Sequence, residues 1–420
     1  MRRQFLPLGL AVALLSPIFS VAQAQSQSST VVYPALPKEP TGALTLDNAL
    51  ALAAGSNFDL SAAAKEVDAT EGGIMQARTI PNPEISTLVE DTRRSSRTST
   101  AQLNIPIELG GKRSARINAA ERTREFAQAT LAAVRGDIRA QVIESFFAVL
   151  IAQERVKLAT GSADIAKRGA EAAARRVTAG KISPVDETKA RVEQANAELE
   201  LAEATSGLQS ARQALTALWG NSAPQFAEAA GNLDVLPSRP SPEALQQELN
   251  NSPLVAASQA EMDRRQAIVN VERSRQYPDL TLSVGAKRDT LANRNMAVIG
   301  VSIPLPLFDR NQGNLYQAIR QADKAQDEFL ANRINLTRNI LQASNQLSVS
   351  RASAQTLKDT VLPAAEQAYN AATVGFDAGK FNYLDVLDSQ RTLFQARIRY
   401  LGVLGQTYQA ATTIDRILGR

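Results

Sequence analysis

The sequence predicts a mainly α protein with a membrane β-barrel, in which two internal repeats each supply one β-hairpin and one long helical pair. Three observations predict it. First, "AGKISPVDETK" at Ala179–Lys189 is echoed by "AGKFNYLDVLD" at Ala378–Asp388, and Gly180 and Gly379 each precede an aspartate, Asp186 and Asp385, by six residues. The copies lie 199 residues apart in a chain of 420, and the same offset relates Trp219-Gly220 to Leu418-Gly419. Second, long proline-poor stretches ahead of each glycine carry apolar residues at helical spacing. Third, each stretch follows two short alternating segments bounded by proline, which is the pattern of a hairpin.

Residues 1–24 read as an export signal. Arg2 and Arg3 precede an apolar run from Phe5 to Phe19, and Ala22-Gln23-Ala24 offers a small-x-small cleavage site. The first repeat spans 25–220. It opens with a helix near Asp47–Ala77, followed by a hairpin over 80–108 with strands at Glu84–Glu90 and Ser99–Ile107. A long helix then covers 112–178, where Leu131, Val134, Ile138, Val142, Val149, Ala152, Val156 and Ala159 step by threes, fours and a seven. At 1.5 Å per residue it would run about 100 Å. Gly180 breaks it, and a return helix over 183–219 starts with Ser183 as cap and Pro184 in its first turn.

A linker rich in proline and small polar residues covers 221–242. The second repeat spans 243–420, with a helix near Leu254–Gln276, a hairpin over 278–304, a long helix over 314–373 and a return helix over 383–418. Pro363 predicts a kink in the long helix. Ile105-Pro106 and Ile303-Pro304 are expected to end the hairpins, and Asp91–Arg97 and Lys287–Asn295 to form their polar turns.

After residue 24 the chain has no window of ~20 apolar residues, so any membrane crossing must use β-strands. The predicted strands approach the ~9–11 residues that a tilted membrane strand needs. Four strands cannot close a barrel, because about eight is the small-barrel minimum, and open edges do not survive in lipid. Copies must therefore share one barrel. Three copies give twelve strands and a homotrimer in contact with membrane lipid.

Composition narrows the function. The chain has no cysteine and no histidine, only 4 methionines, and a near-balanced 46 basic against 42 acidic residues. Disulfides, thiol chemistry, imidazole catalysis and soft-metal ligation are excluded, and a lipoprotein anchor with them. No nucleophile motif or phosphate loop stands in the sequence, so no enzyme and no cofactor is expected. No basic run points to nucleic acid.

Six segments in order carry a family resemblance: "LTLDNALALA" at Leu44–Ala53, "IPNPEI" at Ile80–Ile85, "IPIELGGKR" at Ile105–Arg113, "IPLPLFDRNQGN" at Ile303–Asn314, "LPAAEQAY" at Leu362–Tyr369 and "AGKFNYLDVLDSQRTL" at Ala378–Leu393. The chain resembles the TolC-like outer membrane efflux proteins, and within them the outer membrane components of cobalt-zinc-cadmium resistance systems. The resemblance implies a trimeric 12-stranded barrel continued by an α-helical periplasmic tunnel. It also implies two partners: a periplasmic adaptor, and an inner-membrane pump of the resistance-nodulation-division class.

On that resemblance, Asp385 and Asp388 match aspartates that ring the channel mouth, and Asp186 matches a gate-linked aspartate of the first repeat. Their simpler reading is favourable charge at a helix N-terminus, worth about 0.3–1 kcal/mol each. Gly180, Lys181, Gly379 and Lys380 are expected at the hairpin tips that meet the adaptor. The sequence departs from the family's best-known gate at Phe381, which stands where an arginine can hold the closed state; Lys181 or Lys380 is the available substitute. Two other functions share these features: a duct for drugs or secreted polypeptides, and a secreted coiled-coil protein without a pore. The paired hairpins speak against the second.

Overall fold

The computed structural model describes residues 38–91 and 93–420; the export signal read at 1–24 lies outside them. In order, the elements are β1 (Ala43–Leu44), α1 (Leu46–Ser56), α2 (Phe58–Arg78), β2 (Glu84–Glu90), β3 (Thr98–Ile107), α3 (Lys112–Thr178) and α4 (Pro184–Ala217). There follow β4 (Glu228–Ala229), α5 (Pro242–Leu249), α6 (Pro253–Ser274), β5 (Leu280–Asp289), β6 (Arg294–Ser302), α7 (Gln312–Thr356), a π-turn at Leu357–Val361, α8 (Leu362–Asp377) and α9 (Tyr383–Leu418). Among the described residues, no helix is long and apolar enough to cross a membrane.

The strands β2, β3, β5 and β6 form one antiparallel sheet in that order, so the two hairpins join through β3 and β5. Pairing there runs from Thr98 opposite Asp289 to Ile107 opposite Leu280. Both outer strands, β2 and β6, keep one unpaired edge in the chain. The pleat sorts the side chains by polarity. On one face Asn104 Nδ2 donates to Ser86 Oγ at 3.0 Å, Ser283 Oγ donates to Asn104 Oδ1 at 2.7 Å, and Lys287 pairs with Glu90 at 3.0 Å. On the other face Ile85, Val89, Leu103, Ile105, Val284, Ile299 and Val301 stand exposed.

Pro106 does not end its strand but lies within β3, opposite Thr281. The pairing of β2 stops at Glu84 opposite Asn104, so Pro106 sits where β3 has a neighbour on one side only, the edge position that proline tolerates. The second turn is also tighter than its polar residues suggested, whereas the first lies between Glu90 and Thr98 as expected. Lys287, Arg288 and Asp289 pair with Met296, Asn295 and Arg294, which leaves four residues, 290–293, between the strands.

One helical expectation needs correction, the kink expected at Pro363 takes a definite form, and the linker is more ordered than its composition suggests. The first short helix is two helices, because Asn57 leaves the helical conformation to cap α2, accepting from Leu60 N–H at 2.9 Å while its amide donates to Leu218 O at 2.8 Å. The second long helix is interrupted by the π-turn just ahead of Pro363, whose ring would meet the Asp359 carbonyl in a regular helix. The linker is a packed strap. Its β4 pairs with β1, Phe226 and Ala229 are buried, and Tyr408 donates to Val235 O at 3.0 Å.

The largest core cluster gathers Leu44, Ile138, Val142, Phe146, Val149, Leu215, Trp219 and Phe226, drawn from α3, the end of α4 and the strap. A second joins Leu245, Leu249, Ile340, Leu347, Ile414 and Ile417 at the end of α9. Each return helix is thus anchored at its far end by apolar burial, and its start is left at the tip.

Candidate functional site

The tips are built by the same backbone device. Gly180 has φ +65° and Gly379 φ +72°, the left-handed conformation that favours glycine. Gly180 N–H reaches Val177 O at 2.9 Å and Lys181 N–H reaches Arg176 O at 2.9 Å. In the second copy Gly379 N–H reaches Phe376 O at 3.0 Å and Lys380 N–H reaches Gly375 O at 2.8 Å. Both are Schellman endings, in which the turn satisfies the last helical carbonyls. A Cβ at either glycine would meet open space, so the glycine is required by φ and not by crowding.

The return helices start with an aspartate at the third helical position in each copy, Asp186 and Asp385. Asp385 closes a capping box, its carboxylate accepting from Asn382 N–H at 2.9 Å. Asp388 lies one turn on, exposed, in a groove of about 420 Å³ shared with Lys189, Glu193, Leu387 and Arg391. Asp186 is half-buried in α4, where the cap is Ser183, whose Oγ accepts from Val185 N–H at 3.2 Å. Asp385 and Asp388 thus share one helix face, and Asp186 stands on the other return helix. Lys181 and Lys380 are both exposed, and among the described residues neither forms an ion pair within the chain.

The residues that tie the two tips together were not singled out in the sequence. Arg391 of α9 bridges to Glu193 of α4 at 2.7 Å, and that bond holds its guanidinium more firmly protonated than usual. Tyr383 is buried among Ala170, Ala173 and Ala190, with Ile182, Phe376 and Leu387 around it. Burial pushes its hydroxyl above the ordinary tyrosine value, and the Glu193 carboxylate adds to the shift. A Cβ at Gly169 would collide with that hydroxyl. Arg176 stacks on the Phe376 ring at 3.9 Å, and Phe381 folds back over Gly375. A sequence signal existed for one of these: the aromatic residues of the second tip, Phe376, Phe381 and Tyr383, have Val177, Ile182 and Pro184 at the equivalent places of the first.

The model of the family described as "outer membrane efflux protein" matches residues 49–221 and 244–420, one match per repeat. The chain belongs to that family. The proteins similar to it include the cobalt-zinc-cadmium resistance protein CzcC of Cupriavidus metallidurans, 84% identical over 420 residues and covering 100% of both chains. The nickel and cobalt resistance protein CnrC of the same species is 31% identical over 290 residues, covering 67% of each chain. The fold matches solved channels: the outer membrane protein VceC of Vibrio cholerae at a TM-score of 0.76, 20% identity and 89% of this chain against 96% of that one, and CusC at 0.75, 18% and 89% against 91%.

Proposed function

We propose that three copies of this outer membrane efflux protein close one twelve-stranded barrel and that the helical pairs continue it as a tunnel into the periplasm. The assembly is the passive exit duct of a tripartite resistance-nodulation-division pump, and its cargo is divalent cobalt, zinc and cadmium. The observation that carries the duct is the four-stranded sheet with one polar face, one apolar face and two open edges. Such a sheet cannot rest alone in lipid, but copies joined edge to edge enclose a polar lumen inside an apolar wall. The cargo rests on the 84% full-length similarity to the cobalt-zinc-cadmium resistance protein.

In this reading the two repeats, 25–220 and 243–420, give six tips from three chains. Gly180, Lys181, Gly379 and Lys380 meet the periplasmic adaptor, which links the duct to the inner-membrane pump. Asp385, Asp388 and Asp186 set a negative potential at the mouth, which draws cations without binding them tightly. Choice among metals belongs to pump and adaptor, because a chain with no cysteine, no histidine and four scattered methionines has no soft ligand set to offer.

Deleting the gene tests the cargo: growth should fail on cobalt, zinc and cadmium and be unchanged on antibiotics. Sensitivity to antibiotics alone would overturn it. For the mouth, Asp385→Asn with Asp388→Asn removes charge while an oxygen at 385 still caps the helix. Cation preference in planar bilayers should fall, and unchanged selectivity would reduce these aspartates to helix-end residues.

A further inference from the structure

The internal repeat supplies a template for the contact between copies. Within one chain the end of the first hairpin lies against the start of the second. There Leu109 N–H donates to Asp279 Oδ1 at 3.2 Å, Lys112 pairs with Asp279 at 2.7 Å, and Gly110 lies against the Tyr277 ring. In an assembly of identical chains the end of the second hairpin must meet the start of the first hairpin in the next copy. The pairs Ile105-Pro106 and Ile303-Pro304, and Pro81 and Pro278, align the two repeats residue by residue.

We infer that the seam between copies follows the register of the β3–β5 seam, with Ser302 opposite Ser86 and Val301 opposite Thr87 of the next copy, and that its junction with the helices is apolar where the one inside the chain is ionic. The inference rests on the proposed shared barrel. Asn104 precedes Ile105-Pro106 by one residue and pairs with Ser283, five residues after Pro278. The corresponding residues, one before Ile303-Pro304 and five after Pro81, are Ser302 and Ser86. By the same shift Leu103 opposite Val284 becomes Val301 opposite Thr87. Nothing in the shift forces the polar faces to agree, yet they do. Ser86 shares a face with Asn104 through their hydrogen bond, and Ser302 opposite Thr281 lies on that same face. A slip of one residue would put each side chain on the wrong side of the wall.

The junction changes character under the same mapping. By that shift Lys112 corresponds to Arg310, two residues before the first residue of α7; Asp279 corresponds to Asn82; and Tyr277 corresponds to Ile80. The carboxylate of the ion pair is replaced by an amide, so the pair has no counterpart. Leu305, Leu307 and Phe308 are 76%, 64% and 90% exposed in the single chain, and Ile80 is 72% exposed. Such side chains on both sides of one junction are expected of an interface buried only on assembly.

The chain has no cysteine, so paired substitutions test this in the full-length protein in outer membranes. Ser86→Cys with Ser302→Cys and Thr87→Cys with Val301→Cys are neighbouring pairs, one of which is the closer, non-hydrogen-bonded kind. Mild oxidation should give covalent dimers and trimers with at least one pair. Ser86→Cys with Gly300→Cys, out of register, should give several-fold less, because a disulfide needs Cβ atoms about 3.8 Å apart. Asn82→Cys with Leu307→Cys should cross-link across the junction, and trimers should persist in high salt. Cross-linking of the out-of-register pair instead would overturn the register. Trimers without an 82–307 cross-link would show that Leu307 faces lipid and would overturn the apolar junction. If mass measurement in detergent finds only monomer for the unmodified chain, the shared barrel itself fails, and that result is independent of every cysteine pair.

Discussion

The two helical tips share a backbone ending and differ in what holds it. Both close with a left-handed glycine and the same pair of hydrogen bonds. The first is fastened lightly, by the Ser183 cap and a half-buried Ile182. The second carries Phe376, Phe381 and Tyr383, and its capping box is closed from both sides. The helices behind them differ too: α3 runs unbroken for 67 residues, whereas a π-turn separates α7 from α8. The device that reverses the chain is the same at both tips, and its surroundings differ. The second tip gained a strong anchor at its end together with a break in the helix that leads to it. That anchor also ties the tips to each other, because Tyr383 packs on Ala170 and Ala173 of α3 and on Ala190 of α4.

The largest expected effect tests the anchor. Tyr383→Ala should lower the local opening free energy of the α8–α9 tip by about 3 kcal/mol, the loss from emptying a buried aromatic site. Ile182→Ala, only half-buried, should cost about 1 kcal/mol at the first tip. Hydrogen exchange on each tip reads both, and equal losses would erase the contrast. Tyr383 adds a pH signature. Its folded value lies above the ordinary one of about 10, so its contribution is intact below pH ~10 and is lost as pH rises through the folded value. Pro184 stands at the equivalent place in the first tip, which should show no such alkaline loosening. Tyr383→Phe should remove the pH dependence from the second.

The glycines sharpen what is common. Gly180→Ala and Gly379→Ala should each cost about 1–2 kcal/mol, since only the positive φ opposes a side chain. The two costs should agree closely in exchange measurements, and a much larger one at 379 would mean that neighbouring groups, not the turn, select glycine there.

The next contrast concerns the aspartates. Asp385→Ala breaks a capping box and should cost about 1 kcal/mol. Asp186→Ala loses only the attraction to the helix end, about 0.3 kcal/mol, because Ser183 already caps α4. Equal costs, read from the first turns of α4 and α9, would break the distinction.

What the sequence made legible follows from which signals are local. Proline spacing and helical periodicity sufficed for α3, because Ile138, Val142 and Val149 repeat on one side of an uninterrupted helix and all three are buried. The glycine turns were legible for the same reason: a Schellman ending needs only its own few residues. Asn57 misled because a cap within an apolar stretch has no periodic mark. The strap misled because Phe226 is buried against partners far along the chain, in α3 and α4. Arg391 and Glu193 are 198 residues apart, and although Arg391 falls inside the segment at Ala378–Leu393, Glu193 falls in none, so only the fold brings them together. The aspartates could be chosen from their spacing, but the capping duty of Asp385 depends on Asn382, which the spacing does not weigh.

The smallest effect concerns the one ion pair that, among the described residues, ties the return helices together at this end. Arg391 is 57% exposed at its side chain and Glu193 19%, so water screens the pair from one side. Such pairs contribute about 0.2–1 kcal/mol, and the exposure of the arginine places this one near the lower end. Arg391→Ala should therefore leave each tip's own stability almost unchanged. What it should alter is their coupling, because Tyr383 and its cluster hold α9 against α3 and the first turns of α4 at Ala190, while the bridge ties α9 to α4 about one turn further on. Spin labels on Thr188 and Ser389 give a distance between the return helices that does not depend on either tip unfolding. In the native chain that distribution should broaden as salt rises toward 1 M, where the screening length falls to about 3 Å. In Arg391→Ala it should be broad at every salt concentration. A narrow distribution in the variant would mean that packing alone couples the tips, and the contrast between an anchored and a lightly fastened tip would then owe nothing to charge.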